Sequence, residues 1–166
     1  MATIFDNYAV PLKVRGEDFV VSVFDIATQI DYERIRAYTY RENAVVVICF
    51  SVCDWESFNS VPLLWMPEVR RYTKKTRSII LVGTKTDQRQ GNASEVSKEE
   101  GQRLAKKIGA DCYLECSARK QEGLEEIFQH IVFAGLKFKK SKNFAKFLFN
   151  RFRRSHIMHL QNKTRG

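Results

Sequence analysis

The sequence predicts an α/β fold with a mostly parallel sheet, and three observations carry that reading. Residues 44–50 and 78–83 are short, nearly continuous apolar runs, the pattern of strands buried on both faces. Segments with apolar residues at helical spacing alternate with such runs, and strands alternating with helices mean a parallel sheet. The second run passes through Gly83 into Thr84-Lys85-Thr86-Asp87. These are polar residues just past the carboxyl end of a strand, where open α/β sheets bind ligands.

Taken in order, Val10, Leu12 and Val14 alternate with polar or small neighbours, and Phe19, Val21 and Val23 do the same. Arg15-Gly16-Glu17-Asp18 between them has turn chemistry, so an antiparallel, half-buried hairpin is expected. Residues 30–39 read as a short, irregular, charged helix or loop. The run 44–50 is a central strand. Phe58, Val61, Leu64, Trp65, Val69 and Tyr72 recur near helical spacing through residues 55–72. The strand 78–83 follows, and then a loop at residues 91–94. Ser97 followed by Glu100 makes a capping box for a helix to about Lys107. A strand over 111–115 leads to a helix from about Leu124, with Ile127, Phe128, Ile131 and Val132 on one face.

At 166 residues the chain suits one domain with a sizeable core. Its net charge is +9, unevenly spread. All 19 acidic residues precede residue 127, whereas ten of the 28 Lys and Arg lie from Lys137 onward. The domain at 1–136 is therefore nearly neutral, and residues 137–166 form a basic tail. Within 137–154, Lys137, Lys139, Lys140, Lys142, Lys146, Arg151, Arg153 and Arg154 alternate with five Phe and one Leu. Basic charge interleaved with aromatics suits an anionic membrane surface. A nucleic acid or a nuclear import receptor is the alternative partner, and nucleic acid is not the expected one.

Cys49, Cys53, Cys112 and Cys116 lack metal-ligand spacing and are read as reduced core thiols, which points to a cytoplasmic protein. No signal peptide and no apolar run of spanning length is present.

Asp87 carries a carboxylate that can accept two hydrogen bonds side by side. Guanine offers two donors at the matching spacing, on N1 and on its exocyclic N2, and adenine does not. Lys85 has an apolar stem that can lie over a base plane while its ammonium stays wet. Three further stretches join this one in order: Thr3-Ile4-Phe5-Asp6-Asn7-Tyr8, then Asp25-Ile26-Ala27-Thr28-Gln29 after a strand, then Glu115-Cys116-Ser117-Ala118 after another. With these, the chain resembles a Rho/Rac-type small GTPase from about residue 2 to about residue 136. Residues 31–36, 49–52 and 65–69 also look like that family.

The resemblance implies the small-GTPase, P-loop NTPase-like, three-layer fold and a signalling role that uses GTP or GDP with Mg²⁺. Its partners would be effector and regulator proteins, with an anionic membrane surface reached through the tail. By the same resemblance, Thr84, Lys85, Asp87, Ser117 and Ala118 bind guanine. Thr3, Asp25, Ala27 and Thr28 belong to the phosphate and switch region, with Thr3 and Asp25 serving Mg²⁺. Gln29 positions the attacking water. Thr3, Ile4, Phe5, Asp6, Asn7 and Tyr8 form the effector surface.

Four departures qualify that expectation. No GxxxxGK[ST] occurs in the 166 residues, so the loop that wraps phosphates is missing. The chain opens where the family's first switch loop is under way, and an N-terminally truncated form lacking the first strand, P-loop and first helix is expected. Impaired nucleotide binding follows. The missing strand would be the sheet's centre, leaving residues 19–24 and 44–50 either with a gap between them or re-paired. Thr28 stands where the family has Gly. The interval from Asp87 to Glu115 is too short for the extra helix of Rho proteins, and the last Cys is Cys116, so no prenylation motif closes the chain. The alternatives are a non-enzymatic interaction module and a non-functional truncated product.

Overall fold

A computed structural model describes residues 5–73, 77–92 and 94–140. Thr3, Ile4, Lys142, Lys146, Arg151, Arg153 and Arg154 lie outside the described residues.

The hairpin forms as the alternation requires. Strands β1 (Phe5–Val14) and β2 (Glu17–Ile26) pair antiparallel, with Val14 opposite Glu17 and Phe5 opposite Ile26. Arg15 and Gly16 turn the chain with positive φ. Only Val14 is fully buried in the hairpin, and Phe19, Val21 and Val23 are half-buried.

Residues 30–39 are more regular than their sequence suggests. A 3₁₀ turn at Ile30–Tyr32 leads into helix α1 (Glu33–Glu42). Its inward face is mostly polar, with Arg36 and Thr39 buried beside the small Ala37, so it carries no apolar periodicity of large residues.

Strands β3 (Val45–Ser51), β4 (Ser78–Thr84) and β5 (Cys112–Glu115) form a parallel sheet in the order β3-β4-β5. Strand β5 starts one residue later than expected because Asp111 acts as a clasp. Its carboxylate accepts from the Ser78 hydroxyl at 2.6 Å and the Ile79 N–H at 3.0 Å.

Between β3 and β4 the chain is helical with one interruption. Helix α2 (Trp55–Ser60) is capped by Asp54, whose side chain accepts from the N–H groups of Glu56 and Ser57. A π turn at Val61–Trp65 then leads into α3 (Met66–Tyr72). Pro62 and Pro67 bring no N–H to the α ladder, and the Met66 N–H reaches back to the Val61 carbonyl.

Helix α4 (Lys98–Ile108) carries the expected capping box at Ser97 and Glu100 and ends on Gly109 in the left-handed region. It is the only helix of more than one turn among the described residues between Asp87 and Glu115. Helix α5 covers residues 124–140, so it runs past the domain boundary drawn at 136 and includes Lys137, Lys139 and Lys140, all exposed.

The sheet is covered in layers. On one face Val46, Ile48, Phe50 and Leu81 pack with Val61, Met66, Val69, Leu104 and Ile108. On the other, Ile80, Val82, Leu114 and Cys116 pack with Ile127 and Ile131 of α5. Val47, on this second face of β3, is 37% exposed. The four cysteines are free thiols, but only Cys116 is a core residue. Cys49 is exposed on the uncovered second face of β3, while Cys53 and Cys112 are half-buried at the margins of the first-face and second-face cores.

Strand β2 is not hydrogen-bonded to β3. The hairpin and the parallel sheet are two separate sheets, and a cavity of about 350 Å³ lies between their facing edges. The direct re-pairing of β2 with β3 does not occur.

Candidate functional site

The carboxyl ends of β4 and β5 carry two loops that meet. At the end of β4, the Thr84 hydroxyl donates to the Phe50 carbonyl at 2.9 Å, tying the loop to β3. Lys85 then takes φ 62°, ψ 35°, a left-handed conformation that L residues with long side chains seldom adopt. Such strain concentrates at functional loops. The reversal sends Thr86–Gln88 into a 3₁₀ turn and turns Asp87 toward the neighbouring loop. There the buried Ser117 hydroxyl donates to Asp87 Oδ1 at 2.6 Å. Ser117 in turn accepts the Lys120 N–H at 3.0 Å, and the Thr86 N–H donates to the Cys116 carbonyl.

The Ser117 hydrogen bond holds the Asp87 carboxyl below its ordinary value, and the charges of Arg119 and Lys120 add to this. Asp87 is therefore an oriented, ionised acceptor with Oδ2 left for an incoming donor. Lys85 and Ala118 stand exposed beside it.

Gly123 closes the second loop. Its φ is +75°, and a Cβ there would meet the Glu115 carbonyl oxygen at 2.2 Å. The loop folds back on the end of β5 through reciprocal backbone hydrogen bonds between Ser117 and Glu122. An ion pair fixes its root: Arg89 makes a two-pronged contact to Glu115 at 2.8 and 2.9 Å and donates to the Val96 carbonyl. Burial works to raise the Glu115 carboxyl, but hydrogen bonds from Arg89 and Tyr113 outweigh it and hold it low.

The switch candidates sit elsewhere. Asp25 is exposed near the end of β2, opposite Asp6 across the hairpin, and Gln29 is exposed in the loop that follows. Asp25 and Thr28 line the cavity between β2 and β3, which Lys85, Asp87, Ser117 and Ala118 do not line. Thr28 is exposed and is not among the residues with positive φ, so this position holds a β-branched residue in ordinary backbone geometry. Phe5, Asp6, Asn7 and Tyr8 are exposed on β1. Tyr8 donates to Asp6 at 3.1 Å, and the Phe5 ring lies 5.9 Å from that of Phe24.

Sequence reasoning missed what anchors the loop between β2 and α1. Arg36 is 5% exposed and makes a two-pronged ion pair with Glu68 of α3 at 2.8 and 2.9 Å. The same guanidinium donates to the Ala27 and Gln29 carbonyls at 2.9 and 2.6 Å. Tyr40 donates to Glu68 at 2.9 Å, and Trp65 lies under the guanidinium. Burial would raise the Glu68 carboxyl, but Arg36 and Tyr40 together hold it low. Arg36 and Tyr40 stand four residues apart, one turn along the same helix face. That spacing was the signal available in the sequence.

Among the described residues, the loops after β4 and β5 are therefore where polar groups converge. A fixed carboxylate, an exposed lysine stem and a second loop converge at the ends of β4 and β5. Near the end of β2 the carboxylates Asp25 and Asp6 are both exposed, and no group of three metal-ligating side chains occurs among the described residues. No described helix is long and apolar enough to cross a membrane. A family model described as the Ras family matches residues 1–136.

Proposed function

The chain belongs to the Ras family of small GTPases, and from that premise we propose that it is a Rho-type signalling protein that keeps the guanine-recognition half of its site and holds nucleotide weakly. Members of the family bind GTP or GDP with Mg²⁺ and work through regulators and effectors. The observation that carries the reading is the 2.6 Å hydrogen bond from Ser117 to Asp87, which joins the two base-recognition loops and leaves one carboxylate oxygen for guanine. Rho-type kinship is supported by residues 31–36 and 65–69, whose Arg36 and Glu68 form the buried pair between α1 and α3. Weak binding is supported by the sequence, which contains no phosphate-wrapping loop in its 166 residues.

In this reading Asp87 accepts from guanine, Lys85 lies along the base, and the Ala118 backbone meets the guanine carbonyl. Thr3 and Asp25 would serve Mg²⁺, with Gln29 and Thr28 beside them. Titration of the 166-residue chain with a fluorescent GDP analogue tests it. Weak binding that prefers guanine over adenine, with the preference reduced by Asp87→Asn, is the expected result. Stoichiometric binding at nanomolar nucleotide would overturn the weak-binding part. Equal affinity for both bases would overturn the guanine reading.

A second reading, an interaction module that needs no nucleotide, is favoured by one observation. Phe5 and Tyr8 are 42% and 52% exposed on β1, beside Asp6 and Asn7, as an effector-docking strand would be. Binding of an effector domain to nucleotide-free protein would select it.

A further inference from the structure

Two side chains to which the guanine reading gives no part, Arg89 and Glu115, close a frame beneath the base site. The upper rung of the frame is the 2.6 Å hydrogen bond from Ser117 to Asp87. Arg89 follows Asp87 by two residues, and Glu115 precedes Ser117 by two. These two form the lower rung, with Nη1 2.9 Å from Oε2 and Nη2 2.8 Å from Oε1. Between the rungs the Thr86 N–H donates to the Cys116 carbonyl at 3.2 Å. The loop after β4 is thus tied to the loop after β5 three times, and a slide of one past the other strains all three ties. Neither partner of the lower rung turns freely. The Arg89 N–H closes the 3₁₀ turn on the Thr86 carbonyl, and its guanidinium also donates to the Val96 carbonyl at 2.9 Å. The Val96 N–H in turn donates to the Val52 carbonyl, just past β3, at 2.8 Å. On the core side the Tyr113 hydroxyl donates to Glu115 Oε1 at 2.7 Å. Gly83 and Gly101 make room for Tyr113, since a Cβ at these positions would lie 2.5 and 2.1 Å from its side chain. The pair is partly buried, and a two-pronged contact fixes direction as well as distance.

We propose that Arg89 and Glu115 are positioning residues for base selection: they fix the loop after β4 against the loop after β5, and so set the spacing between the Asp87 carboxylate and the Ala118 N–H. The assignment rests on the guanine reading above. Guanine presents two donors and a carbonyl acceptor along one edge, and adenine does not. Discrimination therefore needs the carboxylate and the N–H held at one spacing, to within about 0.5 Å, by groups that are themselves locked. The upper rung alone is a single hydrogen bond that a base competes for. The lower rung lies two residues away on both strands of the frame and is built from side chains with no part in meeting the base. Both residues act through Asp87 and Ser117.

Glu115→Gln and Arg89→Lys in the full chain test it, with Asp111→Ala for comparison. Asp111→Ala loosens the opposite end of β5, where the carboxylate holds Ser78 and Ile79, and leaves both rungs intact. The first readout is NMR titration of the Asp87 carboxyl without nucleotide. Removing the Glu115 charge would by itself lower that carboxyl further, because a neighbouring negative charge is gone, whereas losing the geometry of the Ser117 hydrogen bond raises it toward the ordinary aspartate value. A rise in both variants, and none in Asp111→Ala, is the expected result. No rise, or a fall, in Glu115→Gln would overturn the proposal. An equal rise in Asp111→Ala would overturn it too, because it would mark a general loosening of the fold. The second readout is the ratio of affinities for fluorescent GDP and ADP analogues. It should fall about tenfold in both variants, the worth of one hydrogen bond, and hold in Asp111→Ala. An unchanged ratio in Glu115→Gln and Arg89→Lys would overturn the role in base selection. A wild-type chain with no preference for guanine would overturn the guanine reading and base selection with it, leaving the pair's hold on Asp87 to stand or fall on the titration.

Discussion

Glu68→Gln should be among the most damaging single substitutions in this chain. It keeps the shape of the side chain and removes its charge, leaving the Arg36 guanidinium buried at 6% side-chain exposure without a counter-ion. Breaking a buried pair by removing one partner costs about 3–5 kcal/mol, because the remaining charge stays desolvated. With a urea m-value of about 2 kcal/mol/M, the midpoint should fall by roughly 1.5–2.5 M. Tyr40→Phe removes one hydrogen bond to the same carboxylate and should cost about 1.5–3 kcal/mol. The two should not add, since both act through Glu68, and a double-mutant cycle should show coupling of about 1 kcal/mol or more. The pH dependence has a definite sign. The folded-state value of Glu68 lies below its ordinary value, so the pair's stabilisation is complete above the ordinary glutamate range and fades as the pH falls through the depressed value. The gap between wild type and Glu68→Gln should therefore narrow in acid. A Glu68→Gln unfolding free energy within about 0.5 kcal/mol of wild type, or a gap independent of pH, would refute the argument that this pair holds α1, α3 and the 27–29 loop together.

Ser117→Ala should let the Asp87 carboxyl rise toward its ordinary value, readable by NMR titration. It should also cost about 1–3 kcal/mol, because the Lys120 N–H loses its acceptor. Gly101→Ala should cost about 1–3 kcal/mol by urea unfolding, since the new Cβ would sit 2.1 Å from the Tyr113 ring and the ring must move. The full chain should bind vesicles rich in anionic lipid at about 1 kcal/mol per basic residue near the surface, and binding should fall steeply with salt. Equal binding to neutral vesicles would remove the electrostatic role of the tail.

The parts of the fold legible in the sequence were those encoded by local pattern. The alternation at Val10–Val14 and Phe19–Val23, the run ending in Gly83 and the pair Ser97/Glu100 each name their own structure without help from distant residues. Asp87 and Ser117 were legible for a different reason: each follows a short strand, and parallel strands end on the same side of a sheet. What escaped were arrangements that need two distant segments at once. Arg36 and Glu68 are polar and so invisible to a search for apolar periodicity, although both are buried. The π turn at Val61–Trp65 reflects two prolines competing with a continuous helical pattern. The exposure of Cys49 depends on what does, or does not, cover β3. The helix at Glu33–Glu42 reads from sequence only as an irregular helix or loop, because its buried face is an arginine, an alanine, a threonine and a half-buried tyrosine.

The hairpin's polar ties to the body among the described residues are few. Arg15 at its tip lies 4.7 Å over the Phe133 ring of α5, and Arg36 grips the loop at its base. Its own ladder, by contrast, is ten residue pairs long without a break. In folding terms the hairpin has the make-up of a cooperative unit of its own, since its ladder is internal and shares no strand pairing with β3, β4 or β5 among the described residues. Opening at the hinge would have to release these two arginine contacts, and the hydrogen bonds from buried Arg36 are the costlier of them, because the guanidinium would lose two acceptors away from water. The hydrogen bonds that pair β3, β4 and β5 would stay made, so an encounter that needs the inner edges of β2 and β3 works chiefly against Arg36.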